Sequence, residues 1–82
     1  MSYKIPYIGE VIRDARRRQG MSQQDLARRA GVTQPVVSLA ERGADMRVST
    51  LQQIAAALDL VPLLVSRRAV PMVRNVTSSM PE

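Results

Sequence analysis

A chain of 82 residues with a net charge of +5, eleven of its twelve positive side chains arginine, describes one small basic domain. It contains no Cys, His, Phe or Trp, which excludes a disulfide framework, a Cys/His zinc site and a histidine general base, and leaves a core of Leu, Ile, Val, Ala and Met. The seven carboxylates are unclustered, no glycine-rich phosphate loop is present and no apolar run reaches a membrane-spanning length; the pattern points away from an enzyme, a cofactor or a membrane segment, and toward a soluble, cytoplasmic chain. The basic balance has two readings, a solvated surface or an anionic partner, since arginine pairs bidentately with phosphates and guanine edges.

Residues 1–6 read as a short arm, whose Lys4 either reaches a phosphate backbone or belongs to a frayed terminus. A first helix is expected from about Tyr7, because Ile8, Val11, Ile12 and Ala15 recur at i, i+3, i+4 and i+7. Glu10, Arg13, Asp14, Arg17 and Arg18 take the opposite face, and Gly20 closes the helix. Arg16, Arg17 and Arg18 in its last turn complement the helix dipole.

The stretch Met21–Gly43 carries the strongest local signals. Ser22 with Asp25 three residues on has capping-box spacing, and Gly31 supplies a left-handed helix end. Val32 bridges a tight turn, Thr33 caps a second short helix through Val36, Val37 and Ala40, and Gly43 follows it. Pro35 is tolerated in that helix's first turn and leaves the Val36 N–H for Thr33 to cap. Two short helices joined through glycine form a helix-turn-helix, whose second helix enters the DNA major groove.

A fourth helix is expected with Ser49 as cap, Gln52 at the capping-box position, and Leu51, Ile54, Ala55 and Leu58 on one face; Asp59 stands where a left-handed residue closes it. Leu60–Val65 is a continuous apolar run containing Pro62. It reads as a strand that finds its partner in a second copy of the chain, or as coil packed across the helices. The resulting organisation is an arm at 1–6, a helical domain at 7–59, a dimerisation strand at 60–68 and a flexible tail at 69–82.

The run RRRQGMSQQDLARRAGVTQPVVSLAERG closely resembles the Cro/C1 or XRE-type helix-turn-helix family of bacterial and phage repressors, over residues 8 to about 60. Four helices followed by an apolar segment resemble the HipB antitoxin subfamily within it. The resemblance implies an all-α, lambda-repressor-like fold of four to five helices, with a short C-terminal β-strand pairing across a homodimer through Leu60, Val61, Leu63, Leu64 and Val65. It further implies a repressor of a palindromic operator, nucleoid-associated, whose partners are double-stranded DNA, a second copy and a HipA-type kinase toxin. By position, Gln34 matches the main base-reading residue, with Thr33, Pro35, Val36, Ser38 and Leu39 exposed beside it. Ser22 and Gln23 at the head of the first motif helix, with Arg42 and Arg47, match phosphate contacts, and Arg16 with Glu41 matches a structural ion pair. Pro35 and Val36 replace polar readers found in many relatives, and so point to thymine methyl groups or, for Val36, to a merely exposed apolar side chain. Two alternatives stand beside this reading: a phage-type or restriction-controller regulator without a toxin, and a protein-interaction scaffold that has lost DNA binding.

Overall fold

The computed structural model describes residues 7–70, so the 1–6 arm and the tail from 71 onward lie outside the described residues. Four α-helices follow one another: α1 (Ile8–Arg18), α2 (Gln23–Ala30), α3 (Gln34–Glu41) and α4 (Val48–Ala57). A single turn of 3-10 helix covers Arg67–Ala69, and no helix among the described residues is long and apolar enough to cross a membrane.

Helix ends are set by local chemistry. At α2 the capping box forms as its spacing predicts: Ser22 Oγ accepts the Asp25 N–H at 3.0 Å, and Asp25 Oδ2 accepts the Ser22 N–H at 3.0 Å. The Ser22 N–H first, then the Ser22 side chain and Arg28, hold the Asp25 carboxyl below its ordinary range. All four helices end alike, with a left-handed residue (Gly20, Gly31, Gly43 or Asp59) and, just after it, an N–H that bonds back five residues: Met21 to Arg16, Val32 to Ala27, Ala44 to Leu39, Leu60 to Ala55. At Gly31 this reversal makes the tight turn between α2 and α3. Asp59, at φ 58°, takes the same position without being glycine.

Two expected caps differ. Thr33 precedes α3 in extended backbone, but its side chain makes no cap bond; the Val36 N–H goes instead to the Thr33 carbonyl, at 3.1 Å. The N-cap of α4 is Arg47, not Ser49. The Leu51 N–H bonds to the Arg47 carbonyl at 3.0 Å, so the backbone ladder already runs past Ser49 and no capping box with Gln52 forms.

The helices enclose one core of Ile12, Leu26, Val37, Ile54 and Leu58 with Met21 and small alanines (Ala15, Ala27, Ala30, Ala40, Ala55). Val32, Met46, Leu51 and Leu60 pack against it from the turns and from α4. In α1 the buried face is Gly9, Ile12, Ala15 and Arg16, rotated from the apolar stripe that its sequence suggests. Ile8 and Val11 remain 54% and 39% exposed. The reason is Gly9: a Cβ there would lie 2.6 Å from the carbonyl oxygens of both Ala40 and Glu41. Hydrogen in that place lets the start of α1 lie on the backbone at the end of α3.

The strand expected at 60–68 is not present in the chain. Residues 60–66 have no regular structure and Arg67–Ala69 is a 3-10 turn. An extended segment needs a neighbouring strand for its ladder, and the described residues supply none. Val61, Leu63 and Leu64 are strongly exposed.

Candidate nucleic-acid interface

α2 and α3 pack against one another, with Leu26, Ala27, Ala30, Val37 and Ala40 turned into the core. That burial decides what α3 shows to solvent. Thr33, Pro35, Leu39 and Arg42 are exposed, and Gln34, Val36 and Ser38 are half-buried. The residues singled out for base reading thus lie along α3 or, for Thr33, just before it, with Pro35 and Leu39 the exposed ones within the helix. Arg47 is exposed at the start of α4 and Ser22 at the head of α2, where Gln23 is half-buried. The Ser22 N–H is occupied by Asp25. The head of α2 adds the partial positive charge of unpaired backbone N–H groups, suited to an anion.

A chain of polar contacts joins these elements. Gln34 Nε2 donates to Gln23 Oε1 at 2.7 Å, and Gln23 Nε2 donates to Glu41 Oε1 at 3.2 Å. Glu41 in turn accepts from Arg16 Nε at 2.6 Å and from a terminal guanidinium nitrogen at 3.0 Å. Arg16 also donates to the Met21 carbonyl at 2.9 Å. The ion-paired side chains are only 11% and 4% exposed, which makes this a buried pair tying α1 to the end of α3. Burial pushes the Glu41 carboxyl up, but the bonds from Arg16 and Gln23 and the charges of Arg16 and Arg13 outweigh it, and the group is held below its ordinary range. The bond to Glu41 likewise holds the Arg16 guanidinium above its ordinary range, outweighing the cost of burial.

Residue spacing does not reveal the link from Gln23 to Gln34, which are eleven positions apart; two amides heading consecutive helices of a tight turn are its one signal. Nor does it reveal that Glu41 serves Gln23 as well as Arg16. Gln19 Nε2, which donates to the Leu58 carbonyl at 2.9 Å and joins the ends of α1 and α4, has no sequence signal either.

On a second side of the molecule α1, α4 and the segment after it form an apolar groove, where Ile8, Val11, Val48, Leu51, Val61 and Leu64 come together. None of the α3 residues contributes to it.

Comparison with known proteins agrees with this geometry. The sequence model of the helix-turn-helix family matches residues 12–65, from α1 through the segment after α4. The chain is 39% identical over 80 residues to an uncharacterized HTH-type transcriptional regulator, y4dL, of Sinorhizobium fredii (strain NBRC 101917 / NGR234). That match takes in 96% of this chain but 41% of the relative, so the chain spans about two fifths of the relative's length. With four helices, a glycine turn between α2 and α3 and a family match over most of its length, the chain belongs to the XRE-type helix-turn-helix family.

Proposed function

We propose that this protein is a sequence-specific DNA-binding transcriptional repressor that acts as a homodimer on a palindromic operator. The observation that carries the reading is the pairing of Gln34, at the head of α3, with Gln23, at the head of α2. It supports the reading because the two amides head consecutive helices and lie side by side, an arrangement that suits insertion of α3 into a major groove with α2 against a phosphate. Gln34 bonds adenine N6 and N7, and Pro35, Val36 and Leu39 meet thymine methyls while Thr33 and Ser38 add hydroxyls. Ser22, Gln23, Arg42 and Arg47 hold the flanking phosphates, which fixes register without reading sequence. With apolar side chains in three of the six reading positions, part of the specificity comes from operator shape.

Dimerisation is proposed through Leu60, Val61, Leu63, Leu64 and Val65, continuous with the exposed Ile8, Val11 and Val48. A second copy supplies the pairing edge that residues 60–65 lack, with Pro62 on the outer edge where a missing N–H is harmless. Two recognition helices then meet half-sites about 34–36 Å apart. The antitoxin setting, with a HipA-type kinase toxin bound to the dimer, is supported by the resemblance of sequence. Purification from native cells tests it: a stoichiometric kinase supports it, and a homodimer that shifts its own promoter leaves a plain repressor.

The test of the main reading is titration of the duplex upstream of the protein's own reading frame at low and moderate salt, beside a scrambled duplex. A dimer on roughly six to eight phosphates loses about three to five orders of magnitude in affinity over that range, and prefers the native duplex at both salts. Absence of both salt dependence and preference rejects it in favour of a protein-interaction module.

A further inference from the structure

The polar chain behind Gln34 has a direction, and its origin is Glu41. A carboxylate accepts hydrogen bonds and donates none. Glu41 accepts three bonds, with Arg16 on both oxygens and Gln23 on one. The amide of Gln23 therefore has a single satisfying orientation, nitrogen toward Glu41 and oxygen toward Gln34. With that oxygen as its neighbour, the amide of Gln34 turns its own nitrogen inward and donates one N–H at 2.7 Å. What remains for a ligand is the second N–H of Gln34 beside its oxygen, a donor next to an acceptor in fixed order.

Adenine presents N7 as an acceptor next to the N6 donor, the complement of that order, whereas guanine presents two acceptors, N7 and O6. Against guanine the pinned oxygen of Gln34 faces an acceptor and one bond is lost. An amide released from Gln23 can turn and offer both of its N–H groups instead. We propose that Glu41 is a positioning residue for base recognition: acting through Gln23, it fixes the donor–acceptor order that Gln34 presents in the groove and so favours adenine over guanine. The inference rests on the reading of α3 as the base-reading helix. It adds a specificity role to an ion pair that otherwise serves only to join α1 to α3, and it makes the order of the amide a property of the free protein, present before DNA arrives.

The test compares wild type with the double variant Arg16→Met/Glu41→Leu, which removes both charges together and keeps apolar bulk in their place. Each is titrated onto the duplex selected by the wild type from a random pool, and onto the same duplex with guanine for adenine at the step where Gln34→Ala relaxes preference. Wild type is expected to prefer adenine by about 5- to 150-fold, the range of one bidentate pair. The double variant is expected to lose at least fivefold of that ratio while keeping its affinity for non-specific duplex. Retention of the ratio by a folded double variant overturns the inference and leaves the DNA-binding reading intact; no adenine preference in wild type overturns the reading itself. A second measurement is independent of DNA and of the variant's folding. In the free wild-type protein, side-chain amide relaxation by NMR is expected to show Gln23 and Gln34 rigid beside the exposed Gln24. Equal mobility at all three overturns the inference.

Discussion

Removing one member of the Arg16–Glu41 pair is expected to cost far more than removing both. The two side chains are 11% and 4% exposed and bonded at 2.6 Å and 3.0 Å, so either single change, Arg16→Met or Glu41→Leu, strands a charge in the interior, at a cost of about 3–5 kcal/mol. A domain of this length has a total stability of only about 4–12 kcal/mol, so each single variant is expected to lose at least about a quarter of it. The double variant loses the bonds to the Met21 carbonyl and to Gln23 as well, about 1 kcal/mol each. It also avoids desolvating two ions, which offsets that loss, and the net change is expected within about 2 kcal/mol of wild type. Urea denaturation followed by helical circular dichroism measures all four proteins, and the coupling energy of the cycle is expected to exceed about 3 kcal/mol. Single variants that each lose under ~1 kcal/mol, with an additive double, would refute the reasoning. The pH dependence gives a second readout. Glu41 is held below its unfolded value, so its contribution is fully present above the ordinary carboxylate range and is lost as pH falls through its lowered value. Asp25 adds to the same acid limb, and the limb is expected to shrink, not vanish, in the double variant.

Three further outcomes are expected. Gly9→Ala places a Cβ 2.6 Å from two backbone oxygens of α3, which cannot swing aside as a side chain can. The variant is expected to lose about 2 kcal/mol or more in urea denaturation despite a helix-propensity gain of ~1 kcal/mol, and an unchanged or raised midpoint would refute the close approach. Asp59→Gly relieves a left-handed aspartate at φ 58° and is expected to stabilise by about 0.5–1 kcal/mol in the same assay; a loss of stability would mean that the aspartate side chain is needed at that turn. Arg47→Ala is expected to weaken binding evenly across DNA sequences and to lower the slope of log affinity against log salt by about 1 per half-site; a change in base preference would move Arg47 from the phosphate-contacting set to the base-reading set.

The parts of the fold that were legible in the sequence are those fixed by neighbours along the chain. Ser22 and Asp25 bond to each other across a single turn, and Gly31 reverses the backbone by its own conformational freedom, so α2, the turn and the start of α3 follow from about a dozen consecutive residues. Asp59 was legible for the same reason. Ser49 misled because a good capping residue competes with the backbone ladder, and here the Leu51 N–H is already taken by Arg47. The buried face of α1 could not be read from its apolar stripe, because Gly9 and Arg16 owe their burial to the end of α3, a contact between distant parts of the chain. The order of amides from Glu41 through Gln23 to Gln34 has the same character: each residue is marked singly by the family resemblance, but only packing of α2 on α3 lines them up. Leu60–Val65 carries the β-forming composition of a strand, but a strand is a property of two segments, and no second one lies among the described residues.

Base reading by α3 is the central proposal. The measurement that tests this most directly is selection of bound duplexes from a random pool by the wild-type protein, followed by titration of wild type and Gln34→Ala on the selected site and all its single-base variants. A two-fold symmetric site with half-sites about one helical turn apart is predicted, at which Gln34→Ala relaxes preference at one step per half-site, by about 1–3 kcal/mol, and leaves the other steps unchanged. No enriched sequence, or an even loss of affinity at every step, would contradict it.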